Sequence, residues 1–335
     1  MASLRITGTG IETGSQEIIN DTVVAADRHF DSDRAGMNLE QWIDRVYGIK
    51  IRYHATKDQM PSDLAYSAAC KAIDAAGIKK EQIDFILVNT VFGDFSQPTT
   101  ATALQSKLGL DQKLFALEIN MPCAGPVYSL FLADCLLKST NMKTGLLVGV
   151  DKISPFVDQH DFRVSALFSD AAGACIVTKS ETGGLLDYTL GSSGESGVDP
   201  SSFGLVIPGG KANQPHIDAH NQTDLFLHMN GGKVKQFILD SFSEVYYKLV
   251  PESSYIDHII PHQASLSVLK EAFEICGIPW SKAIMTLGEC GNTSSASVYF
   301  GLHKFIESNR GENSKILIYA MGGGLNWGGL IYEHS

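Results

Sequence analysis

The sequence predicts an internally duplicated α/β protein whose two halves meet across a pseudo-twofold axis. Three observations carry this. Residues 109–141 and 277–309 align without a gap at an offset of 168 residues, each running through an apolar stretch to a sharp break and then a small-residue-rich helix. The breaks coincide: Met121-Pro122-Cys123-Ala124-Gly125 lies opposite Glu289-Cys290-Gly291-Asn292-Thr293, which sets Cys123 against Gly291 and Ala124 against Asn292. Upstream, residues 82–89 and 255–262 both run from Ile-Asp into an apolar strand, and downstream residues 146–150 match 316–320. Each half therefore reads strand, helix, strand, buried helix, strand.

Taken in order, the N-terminal residues 1–10 read as a first strand and lack the basic-then-apolar layout of a signal peptide. Residues 63–76 form a helix with Leu64, Ala68 and Ile73 on one face and Gly77 as its stop. Residues 84–91 are a continuous apolar run, the pattern of a strand buried on both faces. A short helix follows at 99–108. Residues 123–138 are apolar or small all round, as expected of a buried central helix. Strands come next at 146–150 and 174–177. The Gly-, Ser- and Pro-rich stretch 183–210 reads as the crossover between halves. Helices are expected at 232–249, 266–276 and 293–306. A strand, the glycine loop 322–324 and a last strand at 329–332 close the chain. The duplication divides it into residues 1–180, carrying the cysteine, and 181–335, carrying a histidine and an asparagine.

At 335 residues and 44% apolar content, the chain can bury a sizeable core. A formal charge of −11 argues against a nucleic-acid or anionic-membrane partner, because binding phosphate relies on Lys and Arg. No apolar run is long enough for a transmembrane helix. The six cysteines (70, 123, 135, 175, 276 and 290) form no CxxC pair. They fit scattered reduced thiols of a cytoplasmic protein better than disulfides or a metal site.

Three side chains stand out. Cys123 sits at a strand-to-helix break, where the helix dipole lowers a thiol pKa and favours the thiolate; a packed small hydrophobe is the plain alternative. His262, in Pro261-His262-Gln263-Ala264, follows an apolar strand and so faces the mouth of the sheet, where it can act as a base or as a donor to an oxyanion. Asn292 would ordinarily be a helix N-cap, but the repeat aims it at the same axis as Cys123. The loop Gly322-Gly323-Gly324 is followed by a strand, not a helix, so it offers a bare backbone N–H beside Cys123 in place of a dinucleotide site. His54, His160, His216, His220 and His228 receive no role.

With these residues placed, the chain resembles the β-ketoacyl-acyl-carrier-protein synthase III family of the thiolase superfamily over nearly its whole length. The matching pieces are Glu40-Gln41-Trp42-Ile43 with Gly48-Ile49 and Arg52, the segment around Cys123, Phe168-Ser169-Asp170-Ala171-Ala172-Gly173-Ala174, the segment around His262, Gly291-Asn292-Thr293-Ser294-Ser295-Ala296-Ser297, and Gly322-Gly323-Gly324-Leu325-Asn326-Trp327-Gly328. The resemblance implies a homodimeric, five-layered αβαβα fold with thiolase-like halves, and Claisen-type condensation without a bound cofactor. Cys123 would take an acyl group from an acyl-carrier-protein or coenzyme A thioester. The N–H groups of Cys123 and Gly324 would form the oxyanion hole. His262 and Asn292 would stabilise the enolate of a malonyl-type or β-ketoacyl unit. Trp42, Gln97, Ser265, Ser267, Gly322 and Gly323 would line the substrate path.

The departures from the family are informative. Positions that in the housekeeping enzymes serve the nucleotide and pantetheine arm of coenzyme A carry Val46, Pro155, Gly232, Ser265 and Ser267 here. Gln97 stands where those enzymes place a Phe that reaches into the partner's acyl pocket. These differences imply a carrier-protein donor or a bulkier acyl chain, and a place in specialised metabolism alongside makers of pyrones or resorcinol and cyclohexanedione precursors, with fatty-acid initiation as the other branch. An O- or N-acyltransferase of the same fold and a non-catalytic subunit of a heterodimer are the competing expectations.

Overall fold

The computed structural model describes residues 3–110, 113–194, 204–206, 225–251, 255–308 and 313–334. The first half contributes β1 (Ser3–Thr13), α1 (Pro61–Ala76), β2 (Phe85–Asn89), α2 (Thr100–Lys107), β3 (Phe115–Ile119), α3 (Gly125–Ser139), β4 (Thr144–Asp151) and β5 (Ala171–Ser180). Their sheet has the order β1-β5-β4-β2-β3. β4, β2 and β3 run parallel, and β5 is antiparallel to both β4 and β1.

The second half contributes β6 (Gly184–Ser192), α4 (Gly231–Leu249), β7 (His258–Pro261), α5 (Leu266–Ile275), α6 (Ser297–Glu307), β8 (Ser314–Gly322) and β9 (Asn326–His334). Its sheet, β6-β9-β8-β7, repeats the order and the strand directions of the first. A parallel bridge between Ile259 and Ala283 stands where β3 stands in the first half.

Strand alternation builds five layers. Along β8, Ile316, Ile318 and Ala320 face inward to α3 and α6, while Leu317, Tyr319 and Met321 face outward to α4 and α5. Along β2, Phe85 and Leu87 face inward, and Ile86 and Val88 face α1 and α2. The helices α3 and α6 are thus sandwiched between two sheets, which explains why both read as apolar or small on every side.

Three elements differ from expectation. Residues 184–192 of the supposed crossover form strand β6, an edge strand with Leu185 buried but Leu186 and Tyr188 exposed, so it lacks clean alternation. Of the remainder of 183–210, residues 195–203 and 207–210 lie outside the described residues, as do His216 and His220. Helix α3 begins at Gly125, with Pro126 in its first turn, and leaves Cys123 in the preceding turn. Helix α6 begins at Ser297, after a 3₁₀ turn at Ser294–Ala296.

That turn lies hard against the first sheet. A Cβ on Gly149 would stand 2.0 Å from the Ser295 carbonyl oxygen, so only glycine lets β4 come this close. Two residues further along, the fully buried Asp151 bonds both halves. Its Oδ1 accepts from Thr90 Oγ1 (3.2 Å) and from the N–H groups of Val91 (2.9 Å) and Phe92 (3.2 Å). Its Oδ2 accepts from the Ser295 N–H (3.2 Å) and Oγ (2.5 Å). Asp151→Ala strands several buried donors at once, and is expected to lower the unfolding free energy by about 3 kcal/mol or more in urea titrations. A loss below about 1 kcal/mol would contradict this role.

Candidate active site

Cys123 is held in a tight turn between β3 and α3, in which Met121 N–H donates to the Ile119 carbonyl (2.9 Å) and Gly125 N–H to the Pro122 carbonyl (2.7 Å). The end of β8 presses onto it: a Cβ on Gly322 would lie 3.3 Å from the Cys123 Cβ and 3.2 Å from the Ala124 nitrogen. The thiol is buried, and its Sγ lies 3.7 Å from Ser294 Oγ. Burial pushes the thiol up to about 12, the Ser294 hydroxyl pulls it down, and the charge of Asp151 pushes it up again. The expected resting thiolate is therefore not what this environment favours. Cys123 lies one residue before the helix N-cap, and burial is the largest influence on its thiol.

His262 follows β7. Its N–H donates to the Tyr319 carbonyl (2.7 Å), which fixes the backbone, and its Nδ1 lies 2.6 Å from the hydroxyl of Ser297, the first residue of α6. Burial lowers its pKa to about 3, so the ring is neutral. Asn292 is clamped by the segment before β5, with its N–H donating to the Leu167 carbonyl and its carbonyl accepting from the Ser169 N–H, both at 2.9 Å. Its Oδ1 accepts from the Ser294 N–H (2.9 Å). With the oxygen committed, the amide NH₂ is the end left to donate.

Two cavities meet at the thiol. One, of about 380 Å³, is lined by Cys123, His262, Asn292, Ser265, Gly322 and Gly323 among others. The other, of about 710 Å³, is lined by Cys123, Ser294, Gly323, Gly324 and a wall that includes Phe92 and Phe156, whose rings stack at 4.6 Å. His262 and Asn292 line the smaller cavity and Gly324 the larger.

The remaining expected positions lie apart from the thiol. Trp42 packs edge-on against Phe30, Tyr47 and Phe162, outside both cavities. Gln97 is exposed on the single chain and lines neither. Ser267 also lies outside, and the hydroxyls of Ser265 (2.7 Å) and Ser267 (3.1 Å) both bond the Val46 carbonyl. Ser294, Ser297 and Asp151 had no assigned role in the sequence. The signal for the serines was present in the run of hydroxyls after Asn292. Among the described residues, no cluster of metal-ligating side chains occurs and no helix is long and apolar enough to cross a membrane.

The chain is similar to known proteins over its whole length. Residues 117–194 match the family described as 3-oxoacyl-[acyl-carrier-protein] synthase III, and residues 251–334 match its C-terminal part. The β-ketoacyl-[acyl-carrier-protein] synthase III of Neisseria meningitidis serogroup A is 32% identical over 100% of both chains. The crystal structure of the Aquifex aeolicus synthase III superposes with a TM-score of 0.84 at 28% identity, covering 99% of this chain and 100% of that one. The priming β-ketosynthase of the R1128 polyketide pathway shares the fold, with a TM-score of 0.86 at 23% identity over 99% of this chain and 96% of its own. The chain belongs to the 3-oxoacyl-[acyl-carrier-protein] synthase III family.

Proposed function

We propose that the protein joins a Cys123-bound acyl group to a malonyl-type or β-ketoacyl thioester by Claisen condensation, through two thiolase-like halves at 1–180 and 181–335. The observation that carries this is the position of Cys123 where two cavities meet, with both neutral donors on one side only.

In this reading the thiol attacks an acyl thioester of a carrier protein or coenzyme A. The N–H groups of Cys123 and Gly324 hold the oxyanion, and the thiol proton leaves on the departing thiol. The acyl chain occupies the larger cavity. A second thioester then enters the smaller one. The Ser297 hydroxyl donates to Nδ1 of His262, which leaves the proton on Nε2. That N–H and the Asn292 amide bind the thioester carbonyl and stabilise its enolate. A malonyl unit forms that enolate by breaking the bond to its carboxylate, which leaves as carbon dioxide, and a β-ketoacyl unit by giving its α-proton to water. The enolate carbon then attacks the acyl-Cys123 carbonyl, a carbon–carbon bond forms, the carbon–sulfur bond breaks and the thiolate is released. A neutral donor suits this task, because it is a far weaker acid than an imidazolium and so competes less for the carbanion. No cofactor enters any step.

The substrate branch is specialised metabolism. Supporting this, the side chains at Ser265 and Ser267 are tied to the Val46 carbonyl, and so offer little to a nucleotide arm. A cavity of about 710 Å³ exceeds what an acetyl group fills. The protein works in the cytoplasm as a homodimer joined along β3. That strand forms the edge of its sheet, with Phe115 and Leu117 exposed, and its Glu118 accepts from the Thr100 N–H, close to Gln97. Gln97 then reaches the partner's acyl pocket.

Sedimentation equilibrium should find a dimer, and monomers at micromolar protein would count against β3 as an interface. On incubation with acyl thioesters, the Cys123 peptide should gain the acyl mass, while Cys123→Ala gains none. Asn292→Ala should still load but lose condensation by about 10²–10³-fold. Equal loss of both steps would refute the division of labour. For His262, the unfolded chain binds one more proton than the folded chain between the ordinary 6.5 and about 3, so stability rises with pH across that window. Its contribution is full above about pH 6.5 and erodes below it, with a slope approaching ~1.4 kcal/mol per pH unit. His262→Gln should therefore lose less unfolding free energy than the parent when titrated from about pH 7 to about pH 5. An equal loss in both proteins would contradict a buried neutral ring.

A further inference from the structure

Ser294 occupies a backbone conformation that side chains avoid. Its φ is +49°, in the left-handed region, where a glycine would sit without strain. A serine kept there, almost wholly buried, faces three partners at once. Its hydroxyl is 3.7 Å from the Cys123 sulfur. Its N–H holds the Asn292 Oδ1 at 2.9 Å. Its side of the thiol opens on the larger cavity. The next residue, Ser295, is bonded to Asp151 through both its N–H and its hydroxyl, so the turn cannot relax away from the strained position.

We propose that Ser294 is a positioning residue for the condensation proposed above, on which this role rests: its hydroxyl hydrogen-bonds the Cys123 sulfur as charge develops there, and its N–H fixes the Asn292 amide as a donor. One residue thereby serves both the nucleophile and the enolate site.

The groups around the thiol explain why it needs such help. Asp151, from the end of β4, opposes ionisation by its charge. His262, from the end of β7, lines the same cavity as a neutral ring and supplies no positive charge. Among the described residues, the Ser294 hydroxyl and the Cys123 backbone hydrogen bond are the two interactions that favour the thiolate. When the enolate attacks, the sulfur leaves as a thiolate, and a hydroxyl already placed beside it stabilises that charge without reorganisation.

The test is the pH profile of Cys123 alkylation by iodoacetamide, followed by mass on the Cys123 peptide, in the parent, Ser294→Gly and Ser294→Ala. Glycine keeps the left-handed turn and alanine retains its strain, while both remove the hydroxyl. Loss of the hydrogen bond raises the thiol further, so the readout is the alkylation rate from about pH 7 to about pH 9, well below the midpoint. Below the midpoint both should react about threefold to fourfold more slowly, because part of the lost thiolate is offset by the higher nucleophilicity of a more basic sulfur. Parent-like profiles in both variants would overturn the proposal, and a shift in only one would assign the effect to the backbone and overturn it equally. Alkylation needs no acyl substrate. Failure of any thioester to load on the parent therefore refutes the condensing reaction and leaves the alkylation result to be judged separately.

Discussion

A buried carboxylate, Asp151, is the constraint from which the site is built. It ends a central strand of the first sheet with no solvent access, and every hydrogen bond it accepts comes from a neutral N–H or O–H. Those donors belong to the loop after β2 on one side and to the turn before α6 on the other. The first leads into the larger cavity through Phe92. The second delivers Ser294 to the thiol and Ser297 to His262. Gly149 makes the approach possible, and Asp151 makes it stable.

Burial then sets the chemistry. The same desolvation that raises the Cys123 thiol lowers the His262 imidazole, so both rest uncharged. Among the described residues, the Ser294 hydroxyl and a backbone hydrogen bond, not a cation, are what favour the thiolate. In the mechanism we propose, neutral donors meet charge that appears only during reaction: the backbone of Cys123 and Gly324, the Asn292 amide, the His262 ring and the Ser294 hydroxyl. Such donors act most strongly in a dry site.

Much of this was legible in the sequence, because the duplicated pattern repeats at the level of strands. Cys123 and Asn292 lie in the two equivalent breaks and His262 follows an apolar strand, and all three line one cavity. What the sequence did not show depends on distant partners. Asp151 matters through residues 61 and 144 positions away, which no local pattern encodes. Strand β6 escaped notice because an edge strand with exposed Leu186 and Tyr188 has no clean period. The protonation state of Cys123 was misjudged because the helix dipole is a local feature, whereas desolvation is the sum of everything packed around the sulfur. Trp42 carried a family match but packs in an aromatic cluster, away from the thiol.

In the proposed reaction Cys123 separates an acyl chamber from a condensation chamber. A crystal structure of the enzyme acylated with an octanoyl thioester tests it most directly. The alkyl chain should lie beside Phe92 and Phe156, with its carbonyl oxygen toward the N–H groups of Cys123 and Gly324 and the side lined by His262 and Asn292 left open. A chain lying against His262 and Asn292 would contradict it.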